Sequence, residues 1–225
     1  MDRGLAAAED LSNLVDDKAD CLAKIGRREE AVSLLASAIS ENPDEKSHYV
    51  KITSILLEFD KQDDAREWFE RGLRAFPDYE DLLSEYGRFL LDEMTDSEEA
   101  LVVYKRLTSI SPDSPHDWAR LGNTYLLLNL NNLALEAYEK AESLREEKAS
   151  SIIENIGNLY NNRGFYSKAA EYLKEAIELD PDSDYAHHRL SLALENQEKE
   201  NEKEKDILKK ARRKRFSTEA KAKTV

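Results

Sequence analysis

The apolar residues of this chain fall mainly three or four positions apart, which is the spacing of one face of an amphipathic helix. Leu121 and Tyr125 follow this spacing, and so do Ile156 and Tyr160. Interruptions are few, because the 225 residues include only seven glycines and five prolines. The pattern therefore predicts an all-α chain of long helices joined by short turns.

Prolines and small residues return at a fixed interval along these predicted helices. Pro43, Pro77 and Pro112 are 34 and 35 positions apart, and Pro181 lies two further periods on. Alanines and glycines keep the same interval, at Ala31, Ala65, Ala100, Ala134, Ala169, Gly87, Gly122 and Gly157. An interval of this length in a helical pattern is typical of a stacked two-helix unit.

The glycines have two predicted roles in each unit. Gly87, Gly122 and Gly157 are expected to face the alanine of the second helix, because a missing side chain lets the two backbones approach closely. Gly26 and Gly164 fall between paired helices, where a left-handed residue would end the first helix. One unit cannot bury its apolar face alone, so stacking of units is expected to form the core.

The segment from Trp118 to Tyr125, WARLGNTY, resembles the signature of the tetratricopeptide repeat (TPR) family nearly position for position. Residues further along continue the resemblance, at Ala134, Tyr138, Ala141, Ile153, Ile156, Gly157, Tyr160, Gly164, Ala169, Leu173, Ala176 and Pro181. It covers about 170 residues. It implies repeats near 12–45, 46–79, 80–114, 115–149 and 150–183, with a capping helix from 184 in a solenoid that ends near 200.

The first two repeats match the TPR signature less well than the later ones. Ala19 and Thr53 occupy positions where glycine is usual, and Leu22 and Leu56 replace the tyrosine. In the capping helix, Leu190 and Leu194 are expected to face inward. The fold class implied by the resemblance is an all-α, right-handed α-solenoid with a concave face lined by the first helix of each repeat.

The resemblance also implies that the chain binds other proteins along this concave groove. The expected groove residues are acidic toward the N-terminal end and polar or basic toward the C-terminal end. They are Asp16, Asp20, Asp81, Glu85, Arg120, Asn123, Asn155, Asn158, His188 and Arg189. A partner segment with opposite charges at its two ends would be steered into one orientation.

A more specific hypothesis concerns the carboxylate clamp found in the chaperone-adaptor branch of the TPR family. Asn123, Asn155 and Arg189 match three of its five positions, whereas Ala119 and Tyr185 stand where lysines are expected. Asparagines at these two positions also serve as hydrogen-bonding residues between helices. Both interpretations stay open at this point.

The charge of −14 is unevenly distributed. Residues 197–225 hold eleven basic and six acidic residues, a net charge of +5, which leaves −19 for residues 1–196. Segment 201–225 is predicted to be a charged tail, helical or disordered, with a basic run at Lys209, Lys210, Arg212, Arg213, Lys214 and Arg215. The run has three interpretations: a solvated tail, a nucleic-acid contact or nuclear address, or a contact with an acidic groove of the same or a neighbouring molecule.

Residues capable of catalysis or metal binding are sparse. None of the four histidines has a partner at the i, i+4 spacing of a helical metal pair, and no phosphate-binding or nucleophile-elbow motif is present. Of His187 and His188, one is expected to be packed and one solvated. Cys21 is the single cysteine and is predicted to be a small buried thiol. No catalytic activity, cofactor or metal is expected.

These observations predict a non-catalytic scaffold or adaptor that binds a partner peptide or helix. No apolar run approaches the length of a membrane span, and a cytoplasmic setting is expected. Two alternatives are a self-assembling structural TPR protein and a nucleic-acid-associated factor that acts through its basic tail. The chain could also be the repeat domain of a larger protein.

Overall fold

The computed structural model describes the backbone of residues 14–222 and the side chains of residues 14–212. Every regular element in that range is a helix. The helices are α1 (14–24), α2 (Arg28–Glu41), α3 (Ser47–Leu57), α4 (Gln62–Ala75), α5 (Glu80–Asp92), α6 (Ser97–Ile110), α7 (Pro115–Leu127), α8 (Asn131–Ser143), α9 (Ser150–Asn162), α10 (Tyr166–Leu179) and α11 (Asp184–Ala222).

Turns between the helices contain left-handed residues at a regular interval. Gly26 and Gly164 both have φ of 82°, as predicted. Asp60, Thr95 and Asn129 have φ of 58°, 53° and 59°. Together these five positions are separated by 34, 35, 34 and 35 residues, so the backbone keeps the sequence period even where the residue is not glycine.

Side-chain caps fix the start of α6 and of α7. The Asp96 carboxylate accepts a 3.0 Å hydrogen bond from the backbone N–H of Glu99 at the start of α6. The Ser114 hydroxyl accepts one of 3.3 Å from the N–H of Asp117 at the start of α7, where Pro115 is the first helical residue. These bonds satisfy N–H groups that a helix leaves unpaired at its N-terminus.

The chain divides into two compact units, one ending at Leu130 and one beginning at Asn131. In the first unit α2 packs on α3, α3 on α4, α4 on α5, α5 on α6, and α6 on α7. Its core is rich in aromatic residues. The ring of Phe69 lies 5.1 Å from that of Tyr86 and 5.4 Å from that of Phe89, between ring centroids.

The second unit contains α8 to α11. Helix α9 packs against α8 and α10, and α11 packs against α10 and α9. Ile153, Ala176 and Ala186 form a buried cluster, with Tyr172 and Ile177 packed against it. This cluster joins α9 to both of the helices that follow it.

Two glycines sit where helices approach closely. A Cβ atom on Gly157 would lie 2.8 Å from Leu173 and 3.3 Å from the carbonyl oxygen of Ala169, which confirms the predicted approach to that alanine. A Cβ atom on Gly87 would lie 2.7 Å from the Tyr104 ring. Both distances are too short for a side chain, so these positions need glycine for packing.

The packed face of α11 differs from the prediction at one residue. Ala186 and Ala193 are fully buried, and Leu190 is half-buried. Leu194 is 43% exposed, so the expectation that it faces inward is wrong. The buried stripe runs through positions seven apart, and residue 194 lies about 100° around the helix from Ala193.

Candidate protein interaction surfaces

In the first unit, α1 and α3 border an open groove of about 500 Å³, which we call the α1–α3 groove. Its lining combines charged, hydroxyl and apolar side chains. They include Asp16, Asp20, Lys24, Val50, Lys51, Ser54, Glu58 and Tyr79. Two of the predicted site residues, Asp16 and Asp20, are thus brought together in this groove.

An ion pair and a histidine–carboxylate contact connect the two walls of the α1–α3 groove. Lys51 Nζ donates to Asp20 Oδ2 at 2.8 Å, and His48 Nε2 lies 3.5 Å from Asp16 Oδ1. Burial raises the pKa of Asp16; His48 and Lys51 oppose this rise, while Asp20 and Glu45 add to it. The Lys51–Asp20 charge pair therefore holds the groove walls together, and its charged groups are already in place in the unbound protein.

Tyr79 lies at the edge of the α1–α3 groove and connects it to a third predicted residue, Asp81. Burial, followed by the neighbouring Asp81 carboxylate and a hydrogen bond to it, raises the pKa of Tyr79 to about 12. Lys46 lies over the Tyr79 ring, 5.7 Å from its centroid. Asp81 is therefore held at the groove edge by Tyr79.

The other predicted residues of the first unit lie on α5 and α7. Glu85 pairs with Arg88 on its own helix. Arg120 and Asn123 are half-buried on α7, and the backbone carbonyl of Arg120 accepts a 2.8 Å hydrogen bond from the Thr124 hydroxyl. None of these three residues lines the α1–α3 groove, as far as the described residues of its wall extend.

The predicted residues of the second unit lie on α9 and α11. Asn155 is half-buried, and Asn158 is only 6% exposed. Arg189 is half-buried and its guanidinium lies over the Tyr185 ring, 4.9 Å from the centroid. Tyr185, which stands where the carboxylate clamp would have a lysine, is thus a stacking platform for Arg189.

His187 and His188 are both exposed, so the expectation that one of them is packed is wrong. The His187 ring nitrogen Nε2 is 3.0 Å from the Pro181 carbonyl oxygen. Cys21 is also exposed, which overturns the prediction of a buried thiol. Ala19 and Ala23 form the buried side of α1. Cys21 lies two positions from each of them and therefore falls on the other face of the helix.

A cluster on α8, α9 and α10 was not predicted from the sequence. The Tyr160 hydroxyl donates to Glu139 Oε1 at 2.7 Å and accepts from Lys168 Nζ at 2.5 Å. The Tyr172 ring stacks on Tyr160 with centroids 5.5 Å apart. The repeat signature indicated only Tyr160. The charged members of the cluster, Glu139 and Lys168, belong to no motif.

A small apolar pocket of about 260 Å³ lies on another side of the first unit. Val32, Ile55, Leu56 and Phe59 are among its lining residues. The Arg28 guanidinium lies 3.6 Å from the centroid of the Phe59 ring, at the distance of a cation–π contact.

In the described part of the chain, no three or more His, Cys, Asp or Glu side chains are grouped so that they could hold a metal ion. Among the described helices, none combines the length and the apolar character that crossing a membrane requires.

Comparison with known families gives a match over most of the chain. The profile of the ChAPs family, described as Chs5p-Arf1p-binding proteins, matches residues 5–204. A TPR repeat-containing protein of Pseudomonas aeruginosa, PA4667, is 30% identical over 174 residues. That alignment covers 75% of this chain and 29% of the relative, so the chain spans less than a third of that relative's length.

Solved TPR structures resemble the chain at lower identity. YrrB, described as a TPR protein with an unusual peptide-binding site, has a TM-score of 0.65 at 20% identity, over 77% of this chain and 89% of that one. A tetratricopeptide repeat protein from Parabacteroides merdae has a TM-score of 0.68 at 17% identity, over 88% of this chain and 77% of that one. These similarities confirm the predicted all-α TPR solenoid class.

Proposed function

The chain belongs to the ChAPs family, the Chs5p-Arf1p-binding proteins, and we propose that it is a non-catalytic scaffold that binds a segment of a partner protein in the α1–α3 groove. The TPR fold supports protein interaction in general. The observation that carries the more specific proposal is the groove itself, which is open, about 500 Å³ in volume, and lined by both charged and apolar groups.

The chemistry of the α1–α3 groove favours a peptide over a small apolar ligand. Asp20 and Glu58 present carboxylates, Ser54 a hydroxyl, and Val50 an apolar surface. This combination suits an extended or helical segment that carries a lysine or arginine beside an apolar side chain. Because Lys51 already pairs with Asp20, the groove needs little rearrangement before it binds.

The family description names Chs5p and Arf1p as the proteins that its members bind. Proteins of these two kinds are therefore the first partners to test. A cytoplasmic location belongs to the same proposal, since a reducing compartment would keep the exposed thiol of Cys21 free.

A second contact surface is proposed on α9 and α11 of the second unit. Asn155 and Arg189 offer an amide and a guanidinium, which are suited to a carboxylate group of the partner. Alanine at both positions is expected to weaken binding of a partner that ends in a free carboxylate. Unchanged affinity in that double variant would remove this surface from the proposal.

The experiment measures binding of purified Chs5p and Arf1p to the full chain and to two arginine variants. Ser54→Arg places a bulky positive charge in the α1–α3 groove, and we expect at least a ten-fold loss of affinity. Ser40→Arg makes the same change on the exposed side of α2 and is expected to bind normally. Equal binding by the two variants would exclude the groove as the contact surface.

A further inference from the structure

Helix α11 leaves the packed body of the second unit at about Gln197. Asn196 Nδ2 donates to Asn161 Oδ1 at 3.3 Å, and Gln197 Nε2 donates to Ser167 Oγ at 2.7 Å. From residue 198 to residue 212 every side chain is exposed. This exposed segment, 198–212, extends for about 22 Å at the rise of an α-helix.

Charge on this part of α11 is divided into two blocks of opposite sign. Residues 195–206 contain six acidic and three basic residues, a net charge of −3. Residues 209–215 contain six basic and no acidic residues, a net charge of +6. We call them the acidic block and the basic block of α11.

The two blocks meet at an exposed apolar pair. Ile207 and Leu208 are 64% and 52% exposed and are the only large apolar residues of segment 198–212. Glu204 and Ala211 lie one turn before and after them on the same stripe of the helix. An exposed apolar pair between two blocks of opposite charge is the arrangement of a self-complementary contact.

We propose that two copies of the chain associate through α11, with the helices antiparallel and Ile207 and Leu208 of both copies packed at the two-fold axis. In an antiparallel pair centred between residues 207 and 208, Glu204 lies opposite Ala211 of the second copy, whose small side chain permits close approach. The acidic block of each helix then lies beside the basic block of the other.

Electrostatics favours this orientation over the alternatives. A parallel pair would place like blocks side by side and would be repelled. The packed body of the second unit lies at the base of an exposed segment about 22 Å long, which exceeds the Debye length of about 8 Å at physiological salt. A nucleic acid would engage the basic block, but it would leave the apolar pair and the acidic block without a role.

Sedimentation of the full chain tests the proposal. The unmodified chain is expected to form a species of twice its 25.8 kDa mass, and the association is expected to weaken as salt rises. Changing Ile207→Glu and Leu208→Glu together should raise the dissociation constant at least ten-fold. Leu127→Glu, which alters an exposed leucine on α7, is the matched control and should leave the dimer intact. A chain that stays monomeric at every concentration would overturn the proposal.

Charge reversal separates self-association from nucleic-acid binding. Lys209→Glu, Lys210→Glu and Arg212→Glu together should weaken the dimer. Extending the reversal with Arg213→Glu, Lys214→Glu and Arg215→Glu and adding Glu200→Lys, Glu202→Lys and Glu204→Lys to the same chain gives the two blocks net charges of −6 and +3, which inverts both and should restore the dimer. A nucleic-acid contact would not be restored by this second set. Assembly that disappears after nuclease treatment would contradict the proposal.

Cross-linking tests the antiparallel register without relying on dimer affinity. In chains carrying Cys21→Ser, a mixture of the Glu204→Cys and Ala211→Cys variants is expected to form a disulfide between one copy of each. Cross-linking mainly between two Glu204→Cys copies would indicate a parallel pair and overturn the proposed geometry.

Discussion

The Tyr86 hydroxyl donates a 2.6 Å hydrogen bond to Glu99 Oε1, and the other carboxylate oxygen of Glu99 pairs with Arg66. Because Tyr86 lies on α5, Glu99 on α6 and Arg66 on α4, one carboxylate joins three consecutive helices. Burial, followed by the hydrogen bond to Glu99, raises the pKa of Tyr86 well above its usual range. The interaction fixes how one helical pair stacks on the next in the first unit.

Removing this hydroxyl should destabilise the first unit. Tyr86→Phe leaves the aromatic packing with Phe69 intact but deletes a hydrogen bond to a charged group, which is worth about 1.5–3 kcal/mol. We expect the free energy of unfolding in urea to fall by about that amount. Tyr166→Phe, at a half-buried tyrosine on α10, is the control and should change it by less than about 0.5 kcal/mol.

Alkaline pH should destabilise the protein through its buried tyrosines. Burial raises the pKa of Tyr104 to about 12, against about 10 in an unfolded chain. The folded state favours the neutral phenol. The contribution of Tyr104 to the free energy of unfolding is therefore fully present below pH 10 and is lost as pH rises toward 12. For this one fully buried residue the loss amounts to about 2–3 kcal/mol.

The Tyr104→Phe variant checks this assignment. Phenylalanine cannot ionise, so the decline in the free energy of unfolding between pH 10 and pH 12 should be shallower than in the unmodified chain. Tyrosinate absorbance and circular dichroism should be recorded together. The absorbance should rise at the same pH at which the helical circular dichroism signal falls. A decline of equal steepness in both proteins would show that Tyr104 does not contribute.

Substitutions at two equivalent left-handed turn positions, 95 and 26, should change the stability of the protein in opposite directions. Thr95 has φ of 53°, a conformation that is costly for a β-branched residue, so Thr95→Gly should stabilise the protein by about 1 kcal/mol. Gly26 has φ of 82°, so Gly26→Ala should destabilise it by about 1 kcal/mol. Thermal unfolding measures both. Destabilisation by Thr95→Gly would show that a contact made by the threonine side chain stabilises this turn.

Much of the fold could be predicted because it depends on local pattern. The 34–35 residue interval identified the helical pairs, and Gly26 and Gly164 identified two of the five left-handed turns. Asp60, Thr95 and Asn129 could not be recognised in the same way, because Asp and Asn adopt the left-handed region far less often than glycine does, and threonine does so rarely. The period, and not the residue type, specifies those turns.

The candidate sites were less predictable, because side-chain partners come from other helices. The sequence pointed to Asp16 and Asp20, yet the pairing of Asp20 with Lys51 depends on the packing of α1 against α3. Asn158 was expected to face a partner and is almost fully buried. A position within a repeat predicts which helix face a residue occupies. It does not predict how deeply the neighbouring helix covers that face.

Hydrogen exchange on the full chain, with and without a bound partner, tests the central claim most directly. If a partner segment occupies the α1–α3 groove, amides of residues 14–24 and of α3 should exchange more slowly in the complex, and the Ser54→Arg variant should lose this protection. Ser40→Arg should keep it. Protection confined to α9 and α11, or to the exposed segment 198–212, would contradict the claim and would place partner binding in the second unit.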